Sequence, residues 1–117
     1  MIDDKEIRDV QKKMEDCIRS ITRLAPLVGL ARQVKEFSSD QRKNALAGEQ
    51  IRFIQRGESV SASETLARSS PAYLEKMKGL EKDYGDACGT IAEWEGTFAR
   101  LEAARSIHAM MKETLKL

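Results

Sequence analysis

The sequence predicts an all-α fold, a long antiparallel helical hairpin with kinks that is expected to dimerise into a helical bundle. Three observations point there. Apolar residues recur at alternating three- and four-residue steps from Ile7 to Ala31, which is the seam of a coiled-coil-like helix. A second stripe with the same steps runs from Tyr73 to Leu101. Between them, Gly57-Glu58-Ser59-Val60 is the clearest turn and divides the 117 residues almost evenly.

Composition agrees. With 41% hydrophobic, 33% charged and only 5% aromatic residues, the chain lacks the bulk for a β-sandwich or α/β core and favours helices with narrow apolar stripes. Its length is one domain's worth. Twenty Lys and Arg against nineteen Asp and Glu leave a formal charge of +1, so no global field draws in nucleic acid or anionic lipid. The longest apolar stretch, Leu24 to Ala31, is interrupted by Pro26 and Gly29, whereas a membrane span needs about 18 apolar residues or more. The N-terminal stretch through Asp9 is acidic and amphipathic, unlike a signal peptide. These features predict a cytoplasmic protein with no membrane partner. Cys17 and Cys88 form no CxxC pair. They read as reduced, small hydrophobes, with a regulatory or intersubunit disulfide as the alternative.

The elements follow in order. Asp3 and Glu6 suit an N-cap with an acidic first turn. The first arm, 3–56, then carries Ile7, Val10, Met14, Cys17, Ile21, Leu24, Val28 and Ala31 on one seam. Pro26 removes one backbone donor, so a kink or break is expected between Thr22 and Pro26. Phe37-Ser38-Ser39-Asp40 reads as a helix end followed by a new cap, with a break near 37–40. Beyond it, Leu46, Ala47, Ile51, Phe53 and Ile54 form the expected buried side of 41–56. Gly57 is placed to end the arm with positive φ, and the turn covers 57–60. Ser61-Ala62-Ser63-Glu64 has the form of a capping box that starts the second arm, 61–116. Ser70-Pro71 offers a further start, with a break near 70 and Pro at the first helical position.

The second arm holds the strongest pattern: Tyr73, Met77, Leu80, Tyr84, Ala87, Ile91, Trp94, Phe98 and Leu101. After Leu101 the register slips, and Ala104, Ile107, Met111 and Leu115 carry the stripe, as in a stutter. Folding the arms back sets residue i near residue 117−i. Ile7 then faces Met110, Val10 faces Ile107, and Cys17 lies near Arg100 and Leu101. Each unbroken arm would reach about 80 Å. A three-helix bundle, with 41–56 returning along the long helix, is the competing architecture.

Glycine costs roughly 1 kcal/mol in a helix relative to alanine, yet the last helix carries several. Gly85, Gly89, Ala92, Gly96, Ala99 and Ala103 form a second seam at four-three steps, about 150° from the large apolar one on a helical wheel. Small residues let a helix approach closely, so this row is the candidate self-association face, with helix breaking around Tyr84 to Gly89 as the alternative. A two-helix hairpin buries few residues, and a dimeric four-helix bundle supplies the missing burial.

Chemistry is sparse. His108 is the only histidine and sits between Arg105 and Lys112, which makes no zinc site. There is no nucleotide-binding glycine loop and no GxSxG elbow, and the serines around the turn serve as caps. Glu81, Asp83, Asp86, Glu93 and Glu95 read as a solvated acidic face, or a patch for a basic partner. The sequence therefore predicts no catalysis and no cofactor. Basic residues gather at Arg32, Lys35, Arg42, Lys43, Arg52 and Arg56; these are candidate contacts for phosphate or an acidic partner. Phe53 lies among them with Phe37 as the other aromatic of the stretch, so no base-stacking platform is evident.

The tip Arg56-Gly57-Glu58-Ser59-Val60-Ser61-Ala62-Ser63-Glu64 and the return segment Phe98-Ala99-Arg100-Leu101-Glu102-Ala103-Ala104-Arg105-Ser106 resemble short helical coiled-coil accessory proteins of temperate-phage early and recombination regions. The resemblance covers about half the chain. It implies an accessory role near DNA recombination or host-defence machinery, and it carries over no functional residues. Pro26 and Ser70-Pro71 depart from a simple two-helix version.

The function expected from all this is that of a non-enzymatic interaction or assembly protein. It would form a homodimer and present a helical face or charged tip to a protein partner. The alternative is a nucleic-acid-binding accessory protein using the basic residues between Arg32 and Arg56.

Overall fold

The computed structural model describes residues 2–116, so the ends of the expected 1–117 domain, Met1 and Leu117, lie outside the described residues. The fold is all-α. Its elements are α1 (Asp4–Gln55), α2 (Val60–Ser69) and α3 (Pro71–Lys116), with no strand among the described residues. None of these helices is long and apolar enough to cross a membrane. By packing, the chain divides into two compact units: the residues up to Leu30 with those from Gly89 onward, and Ala31–Cys88.

α1 starts as its sequence dictates. Asp3 Oδ1 accepts from the Glu6 amide at 2.8 Å, satisfying one of the orphan donors of the first turn. The helix then runs through Pro26 without a break. Proline there leaves the Thr22 carbonyl without its amide donor. Both residues are exposed, so water can serve that oxygen, while the Thr22 hydroxyl donates to the Ile18 carbonyl at 2.9 Å.

In the first unit the N-terminal part of α1 and the C-terminal part of α3 run antiparallel. Arg23 Nη2 pairs with Glu93 Oε1 at 2.9 Å, and the Gln11 amide donates to His108 Nε2 across 3.4 Å. Val10, Leu24, Val28, Leu101 and Ala104 are buried between them. Leu24, 2% exposed, is the largest side chain sealed from solvent. The expected stripe on α3 is corrected here. Thr97 is buried and Phe98 is 39% exposed, so the seam runs Trp94, Thr97, Leu101, Ala104, His108, Met111. The slip falls at Thr97, not beyond Leu101. Burial is open to this threonine because its hydroxyl donates to the Glu93 carbonyl at 2.7 Å and accepts from Arg100 Nη2 at 2.9 Å, leaving no polar group unpaired. Phe98 packs edge-on against Trp94 instead, with ring centroids 4.8 Å apart. Ile107, Met110 and Leu115 stay exposed, while the Arg23–Glu93 and Gln11–His108 pairs keep the arms within about two residues of the expected 117−i register.

The second unit contains the rest of α1, α2 and the start of α3. α1 does not break at 37–40, and 41–56 does not fold back as the competing three-helix bundle requires. Stepping by sevens from Val10 explains why: Cys17, Leu24, Ala31, Ser38 and Ala45 share one helical row, and Ala31, Ser38 and Ala45 are all buried. Ser38 is thus an interface residue, not a cap. The same row overturns the expected buried side of 41–56. Ala45 is buried, with Leu46 and Phe53 half-buried, while Ala47, Ile51 and Ile54 face solvent.

The turn forms at Gly57, whose φ is +102°. The Glu58 amide donates to the Phe53 carbonyl at 3.1 Å and the Gly57 amide to the Ile54 carbonyl at 3.0 Å, the two bonds of a Schellman motif. That motif delivers Ser59, in extended conformation, to the N-cap of α2, where its Oγ accepts from the Ala62 amide at 3.2 Å. The cap therefore falls two residues before Ser61, and Val60 is already helical. Glu64, expected to complete the box, pairs with Arg68 at 3.0 Å. At the expected break, Ser70 ends α2 and caps α3, its Oγ accepting from the Tyr73 amide at 3.1 Å. Pro71 opens α3, where its missing N–H costs nothing.

Candidate functional site

The six basic residues do not converge. Arg52 is spent on Glu49, at 2.9 Å, and the Arg56 guanidinium lies 5.5 Å over the Phe53 ring centroid. Arg32 and Lys43 are exposed on other rows of α1. Only Lys35 and Arg42 come together. In the second unit they line a notch of about 400 Å³ with Ser38, Ser39 and Tyr84. Lys35 and Arg42 lie seven residues apart, with Ser38 at the third and Arg42 at the seventh position beyond Lys35, so one helical face carries all three. Tyr84 enters from α3, on the opposite arm.

The signal for this site is a row. Ile7, Met14, Ile21 and Val28 continue by sevens to Lys35 and Arg42, so the two cations occupy seam positions held by apolar residues earlier in the helix. With serine and alanine as their buried neighbours, the seam opens there. The Ser38-Ser39-Asp40 cluster has the local form of a cap, which masks the row, and no sequence motif marks Ser38, Ser39 or Tyr84 as a functional residue.

The candidate self-association row lies open. Gly85, in the second unit, and Gly89, Ala92, Ala99 and Ala103, in the first, are exposed, and Gly96 is half-buried. A Cβ at Gly85 or Gly89 would meet nothing within 4 Å, and one at Gly96 only the tip of Arg100, at 3.6 Å. The helix does not break at these glycines. In the first unit, Ala103 and Ile107 also wall a cleft of about 420 Å³ with Lys13, Asp16, Cys17, Ala104 and Arg100. Cys17 and Cys88 are free thiols, each partly buried. The acidic residues Glu81, Asp83, Asp86, Glu93 and Glu95 are all exposed; Glu93 pairs with Arg23, and Asp86 stands 4.0 Å from Lys82. Among the described residues no group of three or more His, Cys, Asp or Glu side chains is arranged to hold a metal.

Compared with protein-family models, curated proteins and solved structures, the chain matches none of them.

Proposed function

We propose that this chain is a non-enzymatic assembly protein of the cytoplasm that associates with a second copy of itself and presents the resulting helical surface to a protein partner. The observation that carries the reading is the imbalance between buried and exposed apolar side chains. Within the first unit, Ile18, Leu27, Leu30, Ile107 and Met110 are exposed, Met110 to 70%, against a buried set of Val10, Leu24, Val28, Leu101 and Ala104. Apolar surface of this kind, left over after the arms have paired, marks an association surface.

A second copy suits that surface on two counts. The net charge of +1 imposes almost no self-repulsion. The row on α3 is also nearly symmetric about Gly96, with Gly89 seven residues before it and Ala103 seven after. An antiparallel contact would set glycine against alanine on both sides of a two-fold axis, as an isologous interface requires. Coiled-coil packing through small residues and an accessory role of the temperate-phage type both accord with this reading.

Light scattering after size exclusion tests it. The expected mass is twice 13.2 kDa, falling towards the single-chain value for Gly96→Leu. A monomer at concentrations of about 100 μM, where even weak homodimers form, would overturn the proposal.

A further inference from the structure

Four polar side chains are buried among the described residues: Ser38, Ser63, Ser70 and Thr97. Three of them have protein partners. Ser63 Oγ donates to the Val60 carbonyl at 2.6 Å, Ser70 Oγ to Glu49 at 3.2 Å, and Thr97 Oγ1 to the Glu93 carbonyl at 2.7 Å. The Ser38 side chain, only 9% exposed as a residue, makes no hydrogen bond among the described residues. Helical serines commonly turn back to a carbonyl one turn earlier, and Ser69 and Thr22 do so here. Ser38 instead lines the notch of the second unit, where its hydroxyl is open to solvent.

The surroundings define what that is. Lys35 and Arg42 flank Ser38 on α1 and take part in no ion pair among the described residues, and no carboxylate lines the notch. Two uncompensated cations beside an unpaired hydroxyl that opens onto the notch form a donor set with no acceptor of its own except hydroxyl oxygens, which selects an oxyanion. The guanidinium of Arg42 offers the forked donors that phosphate oxygens accept in pairs. At about 400 Å³ the notch is far larger than one phosphate needs, a water occupying about 30 Å³. Tyr84, opposite, supplies an aromatic ring and a further hydroxyl, and a ring is what a nucleobase stacks upon.

We propose that this notch binds a nucleotide, its phosphate held by Lys35, Ser38 and Arg42 and its base against Tyr84. The site goes beyond the self-association reading and does not rest on it. The phosphate has two sources, a free mononucleotide or a nucleotide within a single strand, and both present the same chemistry to these residues.

Calorimetric titration of the full chain with inorganic phosphate, AMP and a short single-stranded oligoadenylate tests the proposal. AMP is expected to saturate and to bind more tightly than inorganic phosphate. Arg42→Ala should weaken AMP binding about tenfold or more, since a hydrogen-bonded charge is removed, and Ser38→Ala should weaken it several-fold. Ser38→Ala breaks no bond within the chain and introduces a better helix former, so its helicity by circular dichroism should match the parent. Lys43→Ala, equally basic but outside the notch, should leave binding unchanged. Oligoadenylate much tighter than AMP would assign the site to a strand, and equal affinity would assign it to the free nucleotide. The proposal is overturned by any of three results: no saturation with AMP or oligoadenylate, equal binding of inorganic phosphate and AMP, or losses with Lys43→Ala as large as those with Arg42→Ala.

Discussion

Ser70 Oγ donates to Glu49 Oε2 across 3.2 Å, so the residue that interrupts the second arm is also tied to the first. Glu49 has a side chain only 15% exposed, and its other oxygen accepts from Arg52 at 2.9 Å. The same Ser70 oxygen caps α3 through the Tyr73 amide. One hydroxyl thus serves a helix start and a tertiary contact together. Ser70→Ala should destabilise the protein by about 1–2 kcal/mol, the loss of a cap plus a bond to a charged group, read from urea unfolding. Ser70→Asp should fare worse than Ser70→Asn, because it keeps the cap but sets a second carboxylate beside Glu49.

The position of the α3 seam can be read from two truncations. Leu101→Ala should cost about 2–4 kcal/mol, since a sealed side chain leaves a cavity. Phe98→Ala, from a side chain more than a third exposed, should cost clearly less despite removing more atoms. The reverse order in thermal melts would restore the seam through Phe98.

Glycines should respond in opposite directions. Gly57→Ala forces a Cβ into positive φ and should destabilise by about 1 kcal/mol. Gly48→Ala and Gly79→Ala lie within helices, with nothing within 4 Å of the added carbon, and should each stabilise by about 0.5–1 kcal/mol. Chemical denaturation of the three variants checks both signs.

Pro26 sits exposed inside an unbroken α1. Pro26→Ala restores an amide donor for the Thr22 carbonyl and should raise stability by about 1–3 kcal/mol. Hydrogen exchange should show the new amide at position 26 protected. An unchanged or lowered melting temperature would mean that the proline serves the packing rather than burdening it.

Features set by nearby residues were legible in the sequence. The Asp3 cap, the positive φ at Gly57 and the Ser70-Pro71 restart each depend on a few adjacent side chains, and each formed where local chemistry placed it. Ser38-Ser39-Asp40 misled because its local preference for a cap lost to the seven-residue row from Ala31 through Ser38 to Ala45, whose burial the opposing arm supplies. Thr97 displaced Phe98 for a related reason: hydropathy favours the phenylalanine, but a hydroxyl bonded to the carbonyl four residues back removes the penalty of burying the threonine. The notch was not legible, because Tyr84 reaches Lys35 and Arg42 only through the pairing register of two distant segments. The open glycine and alanine row is legible as a pattern, but its exposure follows from how the arms pack and not from its spacing.

The seven-residue row in α1 also limits how such a chain can change in length. Deleting one residue between Ala31 and Ser38 would turn everything beyond it by about 100° about the helix axis. Ser38 would swing to solvent, and Ala45 would leave its place in the interface. A descendant could lengthen or shorten this segment without scrambling its inner face only by whole heptads, matched in the arm that lies against it. Substitution can proceed residue by residue, whereas insertion and deletion must come in paired sevens.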